Sequence, residues 1–301
     1  MSMMHASRTI LLTGVNGQVG HELARSLQGL GRVVALDRQA LDLADPDAIR
    51  RVMRELVPAL VVNPAAYTAV DQAETDVAGA TCLNVDAPAV FAEEARRAGA
   101  ALVHYSTDYV YAGEGEARYA ETDPTGPRNV YGRTKLEGEQ AIAASGCRHL
   151  ILRTSWVYGM RGRNFLRTML RLGAERSELN VVADQIGAPT WSRTIAELTA
   201  AILAQSVSPG VSADDWWAAH SGVFHLAAGG ETSWHGFAEA IFEQAGGERR
   251  PAVRPIPAAS YPTPAARPSN SRLSMDKLER TFGLTVPHWR EALRLCMTAA
   301  D

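Results

Sequence analysis

The first half of the chain alternates short apolar segments with stretches of helical periodicity, and this alternation limits the possible folds more than any other feature. Five segments are expected to be strands: residues 9–15, 32–37, 59–63, 101–106 and 149–154. Each is apolar at consecutive positions, which is typical of strands covered on both faces. Helices between consecutive strands predict right-handed crossovers. We therefore expect an α/β fold with a doubly wound parallel sheet.

Helical patterns fill the connections between these strands, over residues 19–30, 46–56, 73–99 and 130–145. The third pattern can be two helices, because residues 84–86 interrupt its middle. After Gly159 the pattern loosens. Helices are predicted over residues 164–174, 193–205, 233–245, 274–282 and 289–299, and a strand over residues 222–228. Six prolines between Pro251 and Pro268 predict that this stretch is mostly loop.

Composition excludes several classes of protein. The chain has 301 residues, of which 46% are hydrophobic, and a formal net charge of −3. This content is that of a folded globular protein, and the near-neutral charge argues against nucleic-acid and membrane-surface partners. The sequence shows neither an apolar run of bilayer length nor a signal-peptide pattern. Its three cysteines are odd in number and far apart, so we predict a reduced, cytoplasmic protein.

Three glycines follow the first predicted strand at a spacing of three and three residues, Gly14, Gly17 and Gly20. Glycine at a strand-to-helix junction allows a tight turn and a close backbone approach to a diphosphate. The helix that begins there directs amide donors and its positive dipole at the phosphates. Alone the spacing is a weak signal that also suits a simple turn. Its place on the first strand of a βαβ unit favours a dinucleotide site.

The end of the second predicted strand gives conflicting signals about which dinucleotide is bound. Asp37 ends that strand, and an acid at this place typically accepts hydrogen bonds from the ribose hydroxyls of NADH. The next residue, Arg38, suits the 2′-phosphate of NADPH. The sequence therefore leaves NADH and NADPH open.

A tyrosine and a lysine, Tyr131 and Lys135, lie four residues apart and hence on one face of the predicted helix. Lys135 and Lys277 are the chain's two lysines; we expect Lys277 to be a surface residue. An ammonium near a phenol lowers the phenol pKa, which makes proton transfer possible near neutral pH. Thr107 follows the fourth predicted strand, where a hydroxyl can bind a reacting carbonyl oxygen. The alternatives are a solvated lysine and a threonine that caps the strand end.

Together these residues resemble the extended short-chain dehydrogenase/reductase superfamily, over essentially the whole chain. Six strings narrow the resemblance to dTDP-4-dehydrorhamnose reductases: residues 63–74, 106–111, 131–139, 152–158, 184–190 and 267–273. The resemblance implies a Rossmann-type cofactor domain over 1–160, rejoined by about 193–228. It implies a smaller, discontinuous C-terminal substrate domain made of 161–192 and 229–301.

The resemblance also implies roles for matching positions in binding an NADPH or NADH cofactor. The implied contacts of the cofactor are Gly14, Gly17, Gln18, Val19 and Gly20 at the diphosphate, Asp37 at the ribose, Asp42 and Leu43 at the adenine, and Ala66, Tyr67 and Thr68 at the inner half. Tyr131 would donate the proton, and Lys135 would lower its pKa and bind the nicotinamide ribose. Thr107, Asp108 and Trp156 would contact the sugar, although Trp156 can also be a core residue. The 267–273 string would help to hold the nucleotide diphosphate.

The activity implied is reduction of the C4 keto group of dTDP-4-dehydro-L-rhamnose to give dTDP-L-rhamnose. One alternative is another nucleotide-sugar 4-reductase or a 4-epimerase of the same fold. A 4,6-dehydratase is disfavoured, because Asp108 is followed by Tyr109 where those enzymes resemble this strand end but carry a glutamate. A non-catalytic subunit that resembles the regulatory subunit of methionine adenosyltransferase is disfavoured, because Tyr131, Lys135 and Thr107 are present.

Metal binding is the weakest of these expectations. Some family members resemble dimers bridged by Mg²⁺ through surface glutamates, and Glu22 and Glu197 match two such positions. Glutamates on solvated helices explain the same residues equally well, so we predict no metal site. The sequence leaves a homodimer open.

Overall fold

The computed structural model describes residues 8–246 and 250–298. Its helices are α1 (Gln18–Ser26), α2 (Pro46–Leu56), α3 (Val70–Ala73), α4 (Val77–Thr81), α5 (Ala87–Ala98), α6 (Val130–Ser145), α7 (Phe165–Glu175), α8 (Ser192–Gln205), α9 (Ala213–His220), α10 (Trp234–Ala245), α11 (Asp276–Phe282) and α12 (Trp289–Thr298). Its strands are β1 (Thr9–Leu12), β2 (Arg32–Ala35), β3 (Leu60–Asn63), β4 (Ala101–Thr107), β5 (Arg148–Thr154), β6 (Val157–Tyr158), β7 (Glu178–Val182), β8 (Ile186–Gly187), β9 (Thr190–Trp191), β10 (Gly222–His225), β11 (Thr232–Ser233) and β12 (Ala252–Ile256). Ala299, the predicted end of the last helix, lies outside the described residues.

Six parallel strands form the central sheet in the order β10-β5-β4-β3-β1-β2. The order reverses between β1 and β3, and a ligand crevice is expected at the carboxyl ends of the strands at such a switch point. The predicted α/β fold with a doubly wound parallel sheet is confirmed. Within residues 8–246 and 250–298, no helix is long and apolar enough to span a membrane.

Apolar side chains cover both faces of the sheet. Ile10 and Leu12 of β1 pack into one core, and Leu11 between them packs into the core on the opposite face. This placement explains why the strands are apolar at consecutive positions. The burial of Ile10, Leu11 and Leu12 is complete, at 0% exposure each.

A further core lies apart from the sheet and joins α7, α10 and α12. Beside it β7 and β12 pair in parallel, so the prediction of loop for 251–268 was wrong over Ala252–Ile256. β12 has β7 as its one neighbour in this two-stranded sheet, and a proline such as Pro255 is tolerated on an edge strand. The strand is therefore compatible with the prolines that hid it. Helix α9 also went unpredicted; Ser212 caps its first turn by accepting from Asp215 N.

Residues 193–228 contribute β10 to the main sheet, where it pairs with β5. The division of the chain into two domains stays a prediction. The prediction for Lys277 was wrong, because its Nζ donates to the Val223 carbonyl at 2.7 Å and lies 4.3 Å from the ring centre of Phe224. These contacts fix α11 to β10.

Candidate active site

The glycine loop leaves room for a bound group that side chains would fill. Gly14 has a φ of +59°, and a Cβ there would lie 2.9 Å from the Ala65 nitrogen. A Cβ on Gly20 would lie 2.2 Å from the Gly14 carbonyl oxygen, so α1 begins in close contact with the turn. Gly17 N closes the turn by donating to Gly14 O at 2.9 Å. The loop therefore fits a diphosphate.

Helix α1 begins directly after Gly17, and no side chain caps its first turn. Uncapped amides at a helix start are available to an anion. Two residues that the sequence analysis missed border this start. Gln18 Oε1 accepts from Asn164 Nδ2 at 2.8 Å, and Arg161 Nε donates to Asn16 O at 3.3 Å. Arginine beside a turn glycine was the sequence signal for Arg161, and no pattern indicated Asn164.

A cleft of about 220 Å³ opens beside the loop and runs along the ends of β1, β2 and β3. Its lining brings together five predicted cofactor residues: Gly14, Asp37, Asp42, Leu43 and Ala66. Asp37 Oδ1 accepts from the backbone nitrogens of Gln39 and Ala40, both at 3.0 Å. Arg38 is exposed and lines the same cleft. Val19 packs against the core beneath, and Thr68 is exposed.

Helix α6 carries Tyr131 and Lys135 and is fixed at its start by two side chains. Asn129 Oδ1 accepts from Gly132 N, and Glu74 Oε1 accepts from Val130 N, both at 2.8 Å.

Two glycines let α6 approach its neighbours closely. A Cβ on Gly132 would lie 2.2 Å from Tyr109 O, and one on Gly138 would lie 2.0 Å from Asn84 O. Asn84 lies in a π-helical turn, Cys82–Asp86, which interrupts the long helix where the sequence predicted a break. Tyr67 is joined to this turn, because its backbone nitrogen donates to Asn84 Oδ1 at 2.9 Å.

Burial raises the pKa of Tyr131 to about 12, while hydrogen bonding with Thr107 acts in the opposite direction. The ring packs edge-to-face on Tyr109, with 5.6 Å between ring centres. Lys135 is almost completely buried, and its Nζ is directed away from the phenol. It donates to Tyr105 O at 2.6 Å and lies 2.9 Å from His104 Nε2. The phenol partner in this arrangement is Thr107.

Thr107 and Asp108 end β4 within a group of buried polar atoms. Thr107 Oγ1 donates to Asp108 Oδ1 at 3.0 Å and accepts from Tyr109 N at 3.2 Å. Asp108 Oδ2 has no hydrogen-bond partner among the described residues. Three buried hydroxyls in the described residues share this lack: Ser106, Thr154 and Ser271. Buried polar atoms are normally satisfied, so this group indicates a polar ligand.

Burial raises the pKa of Asp108 from 3.8 to about 6, and hydrogen bonds from Ser271 and Thr107 oppose the shift. The carboxyl therefore stabilises the fold fully at low pH, and this stabilisation is lost as the pH rises from about 4 through about 6. We expect Asp108→Asn to be more stable than the wild type near neutral pH by up to about 3 kcal/mol, because two pKa units separate the states.

Urea unfolding at several pH values measures this gain. The difference between variant and wild type is expected to shrink below about pH 4, where both folded and unfolded wild type are protonated. Asp47→Asn, at an exposed ion pair with Arg50, is the matched control. A gain that is independent of pH would contradict the assignment to Asp108 ionisation.

Trp156 has a left-handed backbone with a φ of +49°, which is rare for a residue other than glycine. Its indole stacks on Trp234 with 3.6 Å between ring centres and an angle of 8°. A Cβ on Gly187 would lie 2.7 Å from the same indole. Such strained backbone clusters at binding and catalytic sites.

Arg267 links two of the strings identified in the sequence. Its Nη2 pairs with Asp71 Oδ2 at 2.7 Å, which joins residues 63–74 to residues 267–273. Its Nη1 is buried and has no partner among the described residues. A guanidinium with a free donor suits a phosphate.

The two glutamates considered for a metal differ in their surroundings. Glu22 pairs with Arg193 Nε at 3.2 Å, and Glu197 is exposed one turn further along α8. In the described ranges, no three His, Cys, Asp or Glu side chains group as a metal site would require.

Comparisons with known proteins agree with this geometry. A family model described as RmlD substrate binding domain matches residues 8–301. The chain is 50% identical over 294 residues to a Burkholderia thailandensis protein named dTDP-4-dehydrorhamnose reductase, covering 96% of this chain and 97% of that protein. It is 43% identical over 297 residues to a Shigella flexneri protein of the same name, covering 95% of each. A crystal structure titled dTDP-4-dehydrorhamnose reductase from Bacillus anthracis in complex with NADP matches with a TM-score of 0.88 at 34% identity, covering 97% of this chain and 99% of that one.

Proposed function

The chain belongs to the dTDP-4-dehydrorhamnose reductase family, and on that basis we propose that it reduces the C4 keto group of dTDP-4-dehydro-L-rhamnose to give dTDP-L-rhamnose. The observation that carries the proposal is the meeting of Tyr131, Thr107 and Lys135 at the carboxyl end of β4. In a doubly wound sheet this end forms the ligand crevice.

We propose NADPH as the preferred cofactor. Asp37 already accepts two hydrogen bonds from its own backbone, whereas Arg38 is exposed at the cleft and forms no ion pair among the described residues. The Bacillus anthracis relative is described in complex with NADP. The empty cradle at Gly14 and Gly20 suits the diphosphate of such a dinucleotide.

Arg38→Ala is expected to raise the KM for NADPH about tenfold and to leave the KM for NADH within about twofold, because a surface guanidinium–phosphate contact is worth about 1–2 kcal/mol. Initial rates with each cofactor measure the two constants. Arg50→Ala, another partly exposed arginine of the same domain region, is the control. Equal losses with both cofactors would contradict a 2′-phosphate contact at Arg38.

When bound, NADPH supplies the hydride that reduces C4 of the sugar. Negative charge then develops on the C4 oxygen, and Tyr131 donates its phenolic proton to that oxygen. Thr107 hydrogen-bonds the same oxygen and so stabilises the charge as it forms. Lys135, buried behind the phenol, contributes the positive charge that supports proton transfer.

The remaining residues hold the substrate. Asp108, Ser271 and Thr154 present buried polar atoms to the sugar hydroxyls. Trp156 offers an indole to an apolar sugar face. The unpartnered Nη1 of Arg267, together with the rest of the 267–273 string, binds the nucleotide diphosphate.

Purified protein supplied with dTDP-4-dehydro-L-rhamnose tests the proposal. We expect loss of the reduced-nicotinamide absorbance in step with formation of dTDP-L-rhamnose, faster with NADPH than with NADH. Interconversion of C4 epimers without net cofactor use would instead identify an epimerase. Absence of any turnover, together with stoichiometric recovery of a partner enzyme, would identify a regulatory subunit.

The proposal includes a cytoplasmic location and a possible homodimer. Cys82, Cys147 and Cys296 are all free thiols, as expected in a reducing compartment. Light scattering with and without EDTA tests Mg²⁺ bridging; since Glu22 is paired with Arg193, we expect the mass to be unchanged.

A further inference from the structure

A chain of four buried polar side chains runs from the cofactor cleft to Lys135. Thr13 Oγ1 donates to Asn63 Oδ1 at 2.6 Å, and Asn63 Nδ2 lies 3.3 Å from His104 Nδ1. His104 Nε2 lies 2.9 Å from Lys135 Nζ. None of the four residues is more than 2% exposed. The side chains therefore have only one another and the local backbone as partners.

Each member comes from a different element. Thr13 directly follows β1 and lines the cofactor cleft, Asn63 ends β3, His104 lies in β4 and Lys135 lies in α6. Polar residues in the middle of apolar strands are costly unless they are paired. Their alignment across three neighbouring strands joins the cofactor cleft to the catalytic helix.

The hydrogen-bond inventory of this chain depends on the charge of Lys135. Burial and the nearby Lys135 hold the pKa of His104 well below its ordinary value, so the ring is neutral with one donor and one acceptor nitrogen. As the side chains are arranged, Asn63 donates to Nδ1, so Nε2 carries the hydrogen and donates to a neutral amine. An ammonium would instead donate to Nε2, which moves the ring hydrogen to Nδ1.

The second arrangement needs only local rotations. The Asn63 amide turns over to present its oxygen to Nδ1–H and its NH₂ group to Thr13, and the Thr13 hydroxyl rotates. Both states leave every member paired. Lys135 keeps its bond to the Tyr105 carbonyl in either state.

We propose, on the basis of the reductase function above, that His104 is a positioning residue for Lys135: with Asn63 and Thr13 it holds the buried amine in place and lets it gain or lose a proton without an unpaired group.

The charged surroundings of Lys135 leave this role to His104. Glu139, on the same helix, is the charged group that raises the pKa of Lys135, and burial outweighs it and lowers that pKa to about 8. Glu139 is itself paired with Arg153 from β5 at 2.6 Å. Tyr131 and Asp108 face the other side of the site. His104 is the side chain that meets Nζ directly.

Three variants test the proposal through the pH dependence of kcat/KM. His104→Phe leaves the amine without its ring partner, which penalises the ammonium most. We expect kcat to fall at least about tenfold and the alkaline limb to move to lower pH by about one unit. His104→Gln places an amide near the Nε2 position and is expected to restore most of both. Thr199→Val, which removes a buried hydrogen bond to Tyr105 on the other side of β4, is the control.

Histidine-labelled NMR of the protein without substrate gives a readout that does not require turnover. We expect the His104 ring to change from the Nε2–H to the Nδ1–H tautomer near pH 8, and Lys135→Met to abolish the change. A single tautomer throughout, or Phe and Gln variants with equal losses and unshifted profiles, would overturn the proposal. Failure of the wild type to oxidise NADPH would refute the proposed function and leave the NMR result intact.

Discussion

Replacing Tyr131 with phenylalanine is expected to lower kcat about a thousandfold, because general acid catalysis by a positioned side chain contributes about 10² to 10⁴. The phenol is held by the cap at Asn129 and by the close contact at Gly132, so the variant keeps the ring in place. Only the proton donor to the C4 oxygen is lost. The expected result is a kcat effect with little change in KM for the cofactor.

Steady-state rates with the dTDP-sugar, together with a fluorescence titration of NADPH, measure these quantities. Tyr158→Phe is the matched control, since the Tyr158 hydroxyl is buried with no partner among the described residues and its loss should cost nothing. A Tyr131→Phe enzyme that retains more than about a tenth of the wild-type kcat would exclude Tyr131 as the acid.

Removing Glu139 is expected to cost the fold about 3–5 kcal/mol, because it leaves the Arg153 charge buried without its counter-ion. The pair is 2.6 Å apart at Nη2 and 3.0 Å at Nε, and both side chains are at most 5% exposed. Arg153 also donates to the Tyr111 hydroxyl at 2.6 Å, and His225 Nε2 lies 2.7 Å from that hydroxyl. Glu139→Ala therefore disturbs a whole buried network.

Urea unfolding of Glu139→Ala measures the loss. Glu137→Ala, which removes an exposed partner of Arg133 on the same helix, should cost less than about 1 kcal/mol. Replacing both Glu139 and Arg153 by apolar residues of similar volume is expected to recover much of the stability. Equal stability of the two single variants would show that the buried pair contributes nothing.

Local patterns predicted the elements that position the site. The predicted bounds of α2 and α6 match the structure, because each has a strong start signal: Asp45 with Pro46 for α2, and Asn129 for α6. The parallel sheet followed from strands apolar at consecutive positions. Strand β12 could not be predicted, since its prolines forbid a central strand and only the pairing with β7 makes it an edge.

The site shows the same division between local and non-local information. The i to i+4 spacing predicted that Tyr131 and Lys135 share a helix face. It could not predict that the Lys135 amine turns to Tyr105 O and His104, because the rotamer is set by partners about 30 residues away. The acids at 37 and 42 were found from strand ends, whereas Arg161 and Asn164 reach the glycine loop from beyond β6.

The stacked indoles of Trp156 and Trp234 give this protein a built-in optical reporter. Two nearly parallel chromophores 3.6 Å apart couple their electronic transitions, which produces a paired near-ultraviolet circular dichroism band and weakens their emission. A sugar ring that takes its place against Trp156 competes for the indole face that Trp234 now covers. Occupancy of the substrate pocket should therefore be visible as a loss of that paired band, in a titration that consumes neither cofactor nor sugar.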